Sequence, residues 1–254
     1  GLPDEDSLSI PADGVYRGRA DSAAASTRIV VPRLPRLANV GDLDALAATS
    51  GVEVAIRPPD VALTDPADAV VLPGTKNTVA AARAAREADL GDRLAAFSGP
   101  IVGICGGYQL LGRRLHRADR EAGGSPRSVA GLGVFDVETT FADRKTIRRA
   151  EYAIDAIGPI SGASGTVAGY EIHAGETVTG DRPAPIGPAS VATDRVLGTY
   201  LHGLFEHDSL RSAFLEAAGH AVDRERAGRD ERTPIDRAAD LLRGRGVLDA
   251  LDLD

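Results

Sequence analysis

Tryptophan and methionine are absent from this chain, cysteine occurs once, lysine twice (Lys76 and Lys145), and aromatic residues make up only 4 %. A single cysteine cannot close an internal disulfide, so the expected compartment is a reducing one, the cytoplasm, and that thiol deserves individual scrutiny. No run of about 18 apolar residues is present, which excludes a helical membrane span. The first residues, GLPDEDSLSI, have neither a basic start nor an apolar stretch, so no signal peptide is read there. The net charge of -8 leaves no concentrated basic surface for phosphates, which argues against nucleic acid as a partner. With methionine missing even at position 1, the chain is expected to begin inside a longer gene product or to have lost its start.

What is there is enough for a packed core: 43 % of the 254 residues are apolar. Residues 1–26 are polar, rich in Ala, Ser and Asp and without sustained periodicity, and read as a leader or linker. Short Val- and Ile-rich runs follow, Thr27–Leu34, Val52–Ile56, Asp68–Leu72 and Pro100–Ile104. Helical spacing marks Asp42–Thr49, Thr78–Ala88 and Tyr108–Arg117. Strands alternating with helices predict an α/β fold, a mostly parallel sheet with helices on both faces, whose ligands bind beyond the carboxyl ends of the strands. From Gly131 the texture changes. Gly133–Phe141, Arg148–Asp155, Thr166–Ala174 and Val196–Leu201 read as strands in a more antiparallel arrangement. Ser209–Ala218 and Arg237–Arg243 read as closing helices, and Arg120–Arg127 and Asp181–Pro188 as loops. Residues 27–254 are taken as one domain.

The most informative stretch is Ile101–Gly112, IVGICGGYQLLG. An apolar strand ends at Cys105 and a helical pattern begins almost at once. Gly103 and Gly107 flank the cysteine, as in the strand–turn–helix elbow that presents a nucleophile in α/β-hydrolases. So tight a turn strains the central residue, and the glycines relieve crowding around it. A thiol at a helix N-terminus is expected to have its pKa lowered from about 8.5. The Gly106 N–H can donate to a developing oxyanion. A lone cysteine is more often a small buried hydrophobe; the strand–helix junction with its glycines reverses that preference here.

A nucleophilic thiol needs a base, and five histidines are available. His116 falls on the helix read after the cysteine, on its solvated side, and His220 lies past the last patterned segment. His202 ends the apolar run VLGTYL and precedes Gly203, at a strand end where catalytic groups collect. His173 and Glu171 alternate onto one strand face in GYEIHAGE, either for substrate recognition or as a polar strand surface. His202, Glu206 and His207 match no zinc signature, and no metal is expected. A second turn, LPGTKNT (Leu72–Thr78), follows a buried strand. Its Gly74 lets backbone approach a ligand, and its amides can supply the other half of an oxyanion hole. It is not a phosphate loop, because the full G-x-x-x-x-G-K-[ST] pattern occurs nowhere.

ICGGYQLLG resembles the nucleophile motif of class I, or triad, glutamine amidotransferases, which have a flavodoxin-like fold. More narrowly, RLPRLANVGDLDAL, LPGTKNT, ICGGYQ, GLGVFDVETTF, GYEIHAG and GTYLHGLFE occur in the order found in the cobyric acid synthase family. The tail DRAADLLRGRGVLDALDLD is similar to that family's C-terminal helix. The resemblance implies glutamine hydrolysis by Cys105 and His202, with Gly74, Gly106 and Gln109 in the oxyanion hole or glutamine site. Ammonia would pass to a synthetase domain using ATP and Mg to amidate peripheral carboxylates of adenosylcobyrinic acid a,c-diamide. No cofactor is implied for this chain itself.

Three departures stand out. The family's ATP-binding domain is missing, GLPDEDSLSI resembling only its last residues, so the chain alone is expected to lack ligase activity. Ala174 stands where the family usually has methionine. Residue 204 is Leu where common triad enzymes carry His-x-Glu, leaving Glu206, the missing domain, or nothing to supply the acid that orients His202. Other readings are a glutaminase subunit of a different amidoligase, acting on a,c-carboxylates or cell-wall precursors, a thiol peptidase or esterase, and a non-catalytic remnant.

Overall fold

The computed structural model describes residues 15–17, 27–39, 41–124 and 126–221. The helix read at Arg237–Arg243, the tail resembling a family helix and most of the 1–26 leader lie outside the described residues. Within that leader, however, Val15–Arg17 forms a strand, β1.

Two sheets divide the fold. The first contains β1, β2 (Thr27–Pro32), β3 (Val52–Arg57), β4 (Ala69–Leu72), β5 (Ile101–Ile104), β10 (Val191–Ala192) and β11 (Val196–Thr199), in the order β1-β3-β2-β4-β5-β11-β10. Its five inner strands are parallel, and β1 and β10 close the edges antiparallel. Every residue of β4, β5 and β11 is buried, as a parallel sheet covered on both faces requires. Side chains alternate across it. Val30, Val70, Leu72 and Ile101 share a core with α2 (Thr78–Glu87), α3 (Leu90–Ala96) and α4 (Gly106–Leu111). Ile29, Val31, Val71 and Val102 are equally buried but stand outside that cluster. On that side α1 (Gly41–Ala47) meets β3 and the 3₁₀ turn Leu204–Glu206, against which α5 (Asp208–Ala217) also lies.

The second sheet has the order β12-β9-β8-β6-β7, from β6 (Arg114–His116), β7 (Ser128–Ala130), β8 (Glu138–Ala153), β9 (Thr166–Val178) and β12 (Leu201–His202). It is antiparallel except where β6 runs parallel to β8, so the texture read after Gly131 reflects this second sheet for β8 and β9. It does not for Val196–Thr199, expected among the antiparallel strands, which instead runs parallel to β5 in the first sheet.

Three local readings need correction. The helix expected over Tyr108–Arg117 begins earlier, at Gly106, and stops at Leu111, because Gly112 turns extended (φ -68°, ψ 173°) and Arg113 N–H bonds Val137 O at 2.8 Å. His116 is therefore on a strand, where Nε2 meets Glu138 Oε2 at 2.7 Å. The strand expected from Gly133 begins only at Glu138, since Gly133 takes a positive φ of 71° and residues 131–137 bond back to the α4 segment. Helix α3, unmarked in the sequence reading, is held through buried Leu90 and Leu94.

Candidate active site

Strand β5 delivers Cys105 to the carboxyl end of the parallel sheet, and the chain turns into α4 in one step. Cys105 has φ 53° and ψ -111°, a conformation L-residues avoid. Two backbone bonds hold it there: Cys105 N–H donates to Thr199 O of β11 at 2.8 Å, and Gln109 N–H to Cys105 O at 3.0 Å. The elbow is pressed against the turn after β4. A Cβ on Gly107 would sit 1.9 Å from Leu72 O, so only glycine fits the approach. The motif glycines thus serve the crowding expected of them.

The thiol is 7 % exposed and donates to Ile172 O of β9 at 3.2 Å. Burial pushes it up to about 12; the Gly106 N–H and Lys145 pull the other way, and the Glu121 charge adds to the rise. The expected depression at a helix N-terminus is therefore reversed in the free protein. Helix α4 has six residues, and its end effect does not offset the desolvation of a thiolate.

His202 reaches the same place by a change of sheet. The run read as one strand, Val196–Leu201, is two: β11 ends at Thr199 beside Ile104, and Leu201–His202 pairs with β9 in the second sheet. The imidazole is fully buried and stacks on Tyr170 of β9, centroids 5.0 Å apart and planes 16° from parallel. Gly74 adjoins both histidine and cysteine. A Cβ there would be 3.2 Å from His202 Cε1 and 3.8 Å from Cys105 Cβ, so those two carbons are separated by no more than the sum of these lengths. Neither ring nitrogen of His202 has a hydrogen-bond partner among the described residues. Burial, with a contribution from His173, lowers its pKa to about 4, so the ring is neutral at pH 7. The site thus holds a neutral, buried imidazole and a buried thiol whose ionisation burial opposes.

The remaining candidates fall in different places. Glu206 is exposed and gives His202 no hydrogen bond: both ring nitrogens are unpartnered among the described residues, and the Glu206 carboxylate oxygens lie 3.7 and 3.8 Å from would-be Cβ positions on Gly41 and Gly203. It sits on the 3₁₀ turn beyond the histidine, so its side chain leaves toward solvent. Glu171 is neither a free recognition group nor a solvated face. It is 5 % exposed and bonds Arg148 Nε and Tyr152 Oη, each at 2.8 Å. His173 stacks on Tyr200 at 3.8 Å, with its Nδ1 2.7 Å from Gly175 O; burial lowers its pKa. Gln109 is 3 % exposed, its Oε1 accepting from Thr78 Oγ1 at 3.1 Å and its Nε2 donating to Tyr200 Oη at 3.2 Å. Those bonds tie α4 to α2 and to the β11–β12 junction. Gly106 follows Cys105 directly and its N–H acts on the thiol, and a Cβ on Gly74 would lie 3.8 Å from Cys105 Cβ. Among the described residues no cluster of three or more His, Cys, Asp or Glu side chains is placed to hold a metal ion.

Two residues of this site were not assigned from the sequence. Tyr170 lies in GYEIHAGE, one position from the face that was weighed. Asp42 is 3 % exposed, accepting N–H groups from Gly203 at 3.1 Å and Phe205 at 2.8 Å. Burial is the largest influence on its carboxyl, raising it from 3.8 to about 6 against those hydrogen bonds, with Glu206 also raising it. A signal existed: Asp42 is four residues before Leu46, on the buried stripe of α1, where a carboxylate is out of place.

Known proteins resemble this chain in sequence and in fold. The chain is 48 % identical to a probable cobyric acid synthase of Halobacterium salinarum over 99 % of its length, and 39 % identical to a cobyric acid synthase of Paracoccus denitrificans over 98 %. It spans about half of each of those relatives, 51 %. Among solved structures, one described as a glutamine amidotransferase superposes with a TM-score of 0.52 at 18 % identity, covering 76 % of this chain and 99 % of that one. PurLQS from Thermotoga maritima gives 0.51 at 15 % identity, covering 75 % and 98 %. These two likenesses establish the flavodoxin-like α/β fold of class I glutamine amidotransferases. With its elbow cysteine and buried histidine inside the matching residues 28–210, the chain belongs to the family of CobB/CobQ-like glutamine amidotransferase domains.

Proposed function

We propose that this chain is the glutamine-hydrolysing half of a cobyric acid synthase, generating ammonia at Cys105 with His202 as base. The observation that carries the reading is the buried His202 ring, unpartnered at both nitrogens among the described residues, with a Cβ on Gly74 placed within 3.2 Å of its Cε1 and 3.8 Å of Cys105 Cβ. In the reaction, Cys105 Sγ attacks the side-chain amide carbon of glutamine while its proton passes to His202. The Gly106 N–H and the turn around Gly74 receive the oxyanion of the tetrahedral intermediate. His202 returns the proton to the departing nitrogen, ammonia leaves, and a thioester remains. His202 then takes a proton from water, which attacks the thioester and releases glutamate and the thiol. Burial holds the free thiol protonated, so His202 must take its proton for the sulfur to attack.

The acceptor reading rests on the two cobyric acid synthase relatives and the ordered motifs. The ammonia would amidate peripheral carboxylates of adenosylcobyrinic acid a,c-diamide, activated by ATP and Mg in a synthetase domain beyond this chain. The test is glutamine hydrolysis by the chain and by Cys105→Ala, alone and with a cognate synthetase domain, ATP and the corrinoid. Cys105-dependent ammonia release, raised by the partner, is expected. A folded protein silent in every condition would overturn the proposal, and stimulation only by a different amidoligase would redirect the acceptor.

A further inference from the structure

Asp42 is a buried carboxylate held by hydrogen bonds from the backbone N–H groups of Gly203 and Phe205, with the Leu204 N–H also acting on it and no cation among its partners in the described residues. Burying an ionisable group this way is costly, and the bonds recover only part of it. Both donors belong to the turn that leaves His202. Gly203, the next residue, is left-handed with φ 83°, and Phe205 follows in the 3₁₀ turn. One oxygen binds each N–H, so the carboxylate spans the turn like an anion in a backbone nest. His202 has no side-chain hydrogen bond among the described residues to set its ring. Its orientation depends on its backbone, the Tyr170 stack and the Gly74 contact.

We propose that Asp42 is the positioning residue for His202, a carboxylate that acts one peptide beyond the histidine, on the backbone, rather than on the imidazole. The proposal rests on His202 being the base. Common triad enzymes are described by an acid on the ring; here the acid fixes the segment from which the ring projects. Its protonation replaces an acceptor lone pair by an O–H that faces an N–H, so the brace weakens as pH falls. The ionisable groups around it are Glu206 from the 3₁₀ turn and Tyr170 from β9, whose own pKa is raised by burial first and by the charges of Asp42 and Glu206.

The experiment uses the full chain as wild type, Asp42→Asn, Glu206→Gln and His202→Gln, with folding followed by circular dichroism. The imidazole NMR signals of His202 are assigned by their loss in His202→Gln. In folded Asp42→Asn these signals shift or broaden, and kcat for glutamine falls about 10- to 100-fold with KM changed less than about threefold, as a misplaced base requires. In wild type they move in a step near pH 6, separate from the ring's own titration near pH 4. Glu206→Gln keeps the step and the turnover. Unchanged His202 signals in folded Asp42→Asn overturn the proposal whatever the turnover. If Asp42→Asn does not fold, the wild-type titration decides, and a single step overturns it. Full glutaminase activity in His202→Gln would instead refute the Cys–His reading.

Discussion

Asp42 and His202 carry opposite pH-dependent contributions to stability, and separating them gives a sharp test of the site. For Asp42 the folded-state pKa is raised, from 3.8 to about 6. Its contribution is present in full below 3.8 and is lost as pH rises through about 6, because the fold resists its ionisation. For His202 the folded value is lowered, from 6.5 to about 4. Its contribution is present above 6.5 and is lost as pH falls through about 4, because the fold resists its protonation. Both groups are essentially inaccessible to solvent, so neither contribution is discounted for screening. At about 1.4 kcal/mol per pKa unit, each is worth about 2 to 3 kcal/mol between roughly pH 4 and pH 7. In the wild type the two slopes nearly cancel. Each single variant exposes the other: relative to wild type, Asp42→Asn gains about 2 to 3 kcal/mol as pH rises across that window, and His202→Gln loses as much. Urea unfolding followed by circular dichroism measures both, since without tryptophan the chain offers no strong fluorescent reporter. Taking differences from wild type removes the surface carboxylates. Differences that stay flat, within about 0.5 kcal/mol, would refute the claim that desolvation governs these two groups.

Three further outcomes are expected. Cys105, pushed up to about 12, should react slowly with iodoacetamide in the free protein, its rate still climbing past pH 9; a plateau below pH 8 would mean a thiolate the structure does not hold. Gly107→Ala drives a methyl into Leu72 O at 1.9 Å and should cost more than about 3 kcal/mol, whereas Gly74→Ala, tight by only tenths of an ångström against His202 and Ala38 O, should fold and lower glutamine turnover by about tenfold or more; equal melting temperatures for the two would contradict this ordering. Tyr170→Ala uncovers one face of His202 and should move the imidazole pKa upward from about 4, read by NMR titration; an unmoved value would show that the stack is not what dries the ring.

The sequence alone carried the parallel α/β sheet, because runs such as Asp68–Leu72 and Pro100–Ile104 are apolar throughout and helical spacing separates them. It carried the place of Cys105 in a strand–helix elbow, since a strand, a cysteine between glycines and a helix leave one geometry, and the place of His202 at a strand end. The edge of that legibility is local. Gly112 cuts short a helix whose apolar spacing continues to Leu115, because Arg114–His116 gains more by pairing with β7 and β8 than by another helical turn. Only the tertiary structure decided the electrostatics. A helix N-terminus in isolation lowers a thiol, but β9 and the turn around Gly74 remove the water, and desolvation then exceeds the dipole. Burial likewise withdrew Glu171 and Gln109 into bonded networks. It set the acid that touches the His202 turn at Asp42, 160 residues away in the chain and brought there by the packing of α1 on the 3₁₀ turn Leu204–Glu206. Local pattern fixes what each segment is; how much water each polar group keeps depends on segments far along the chain.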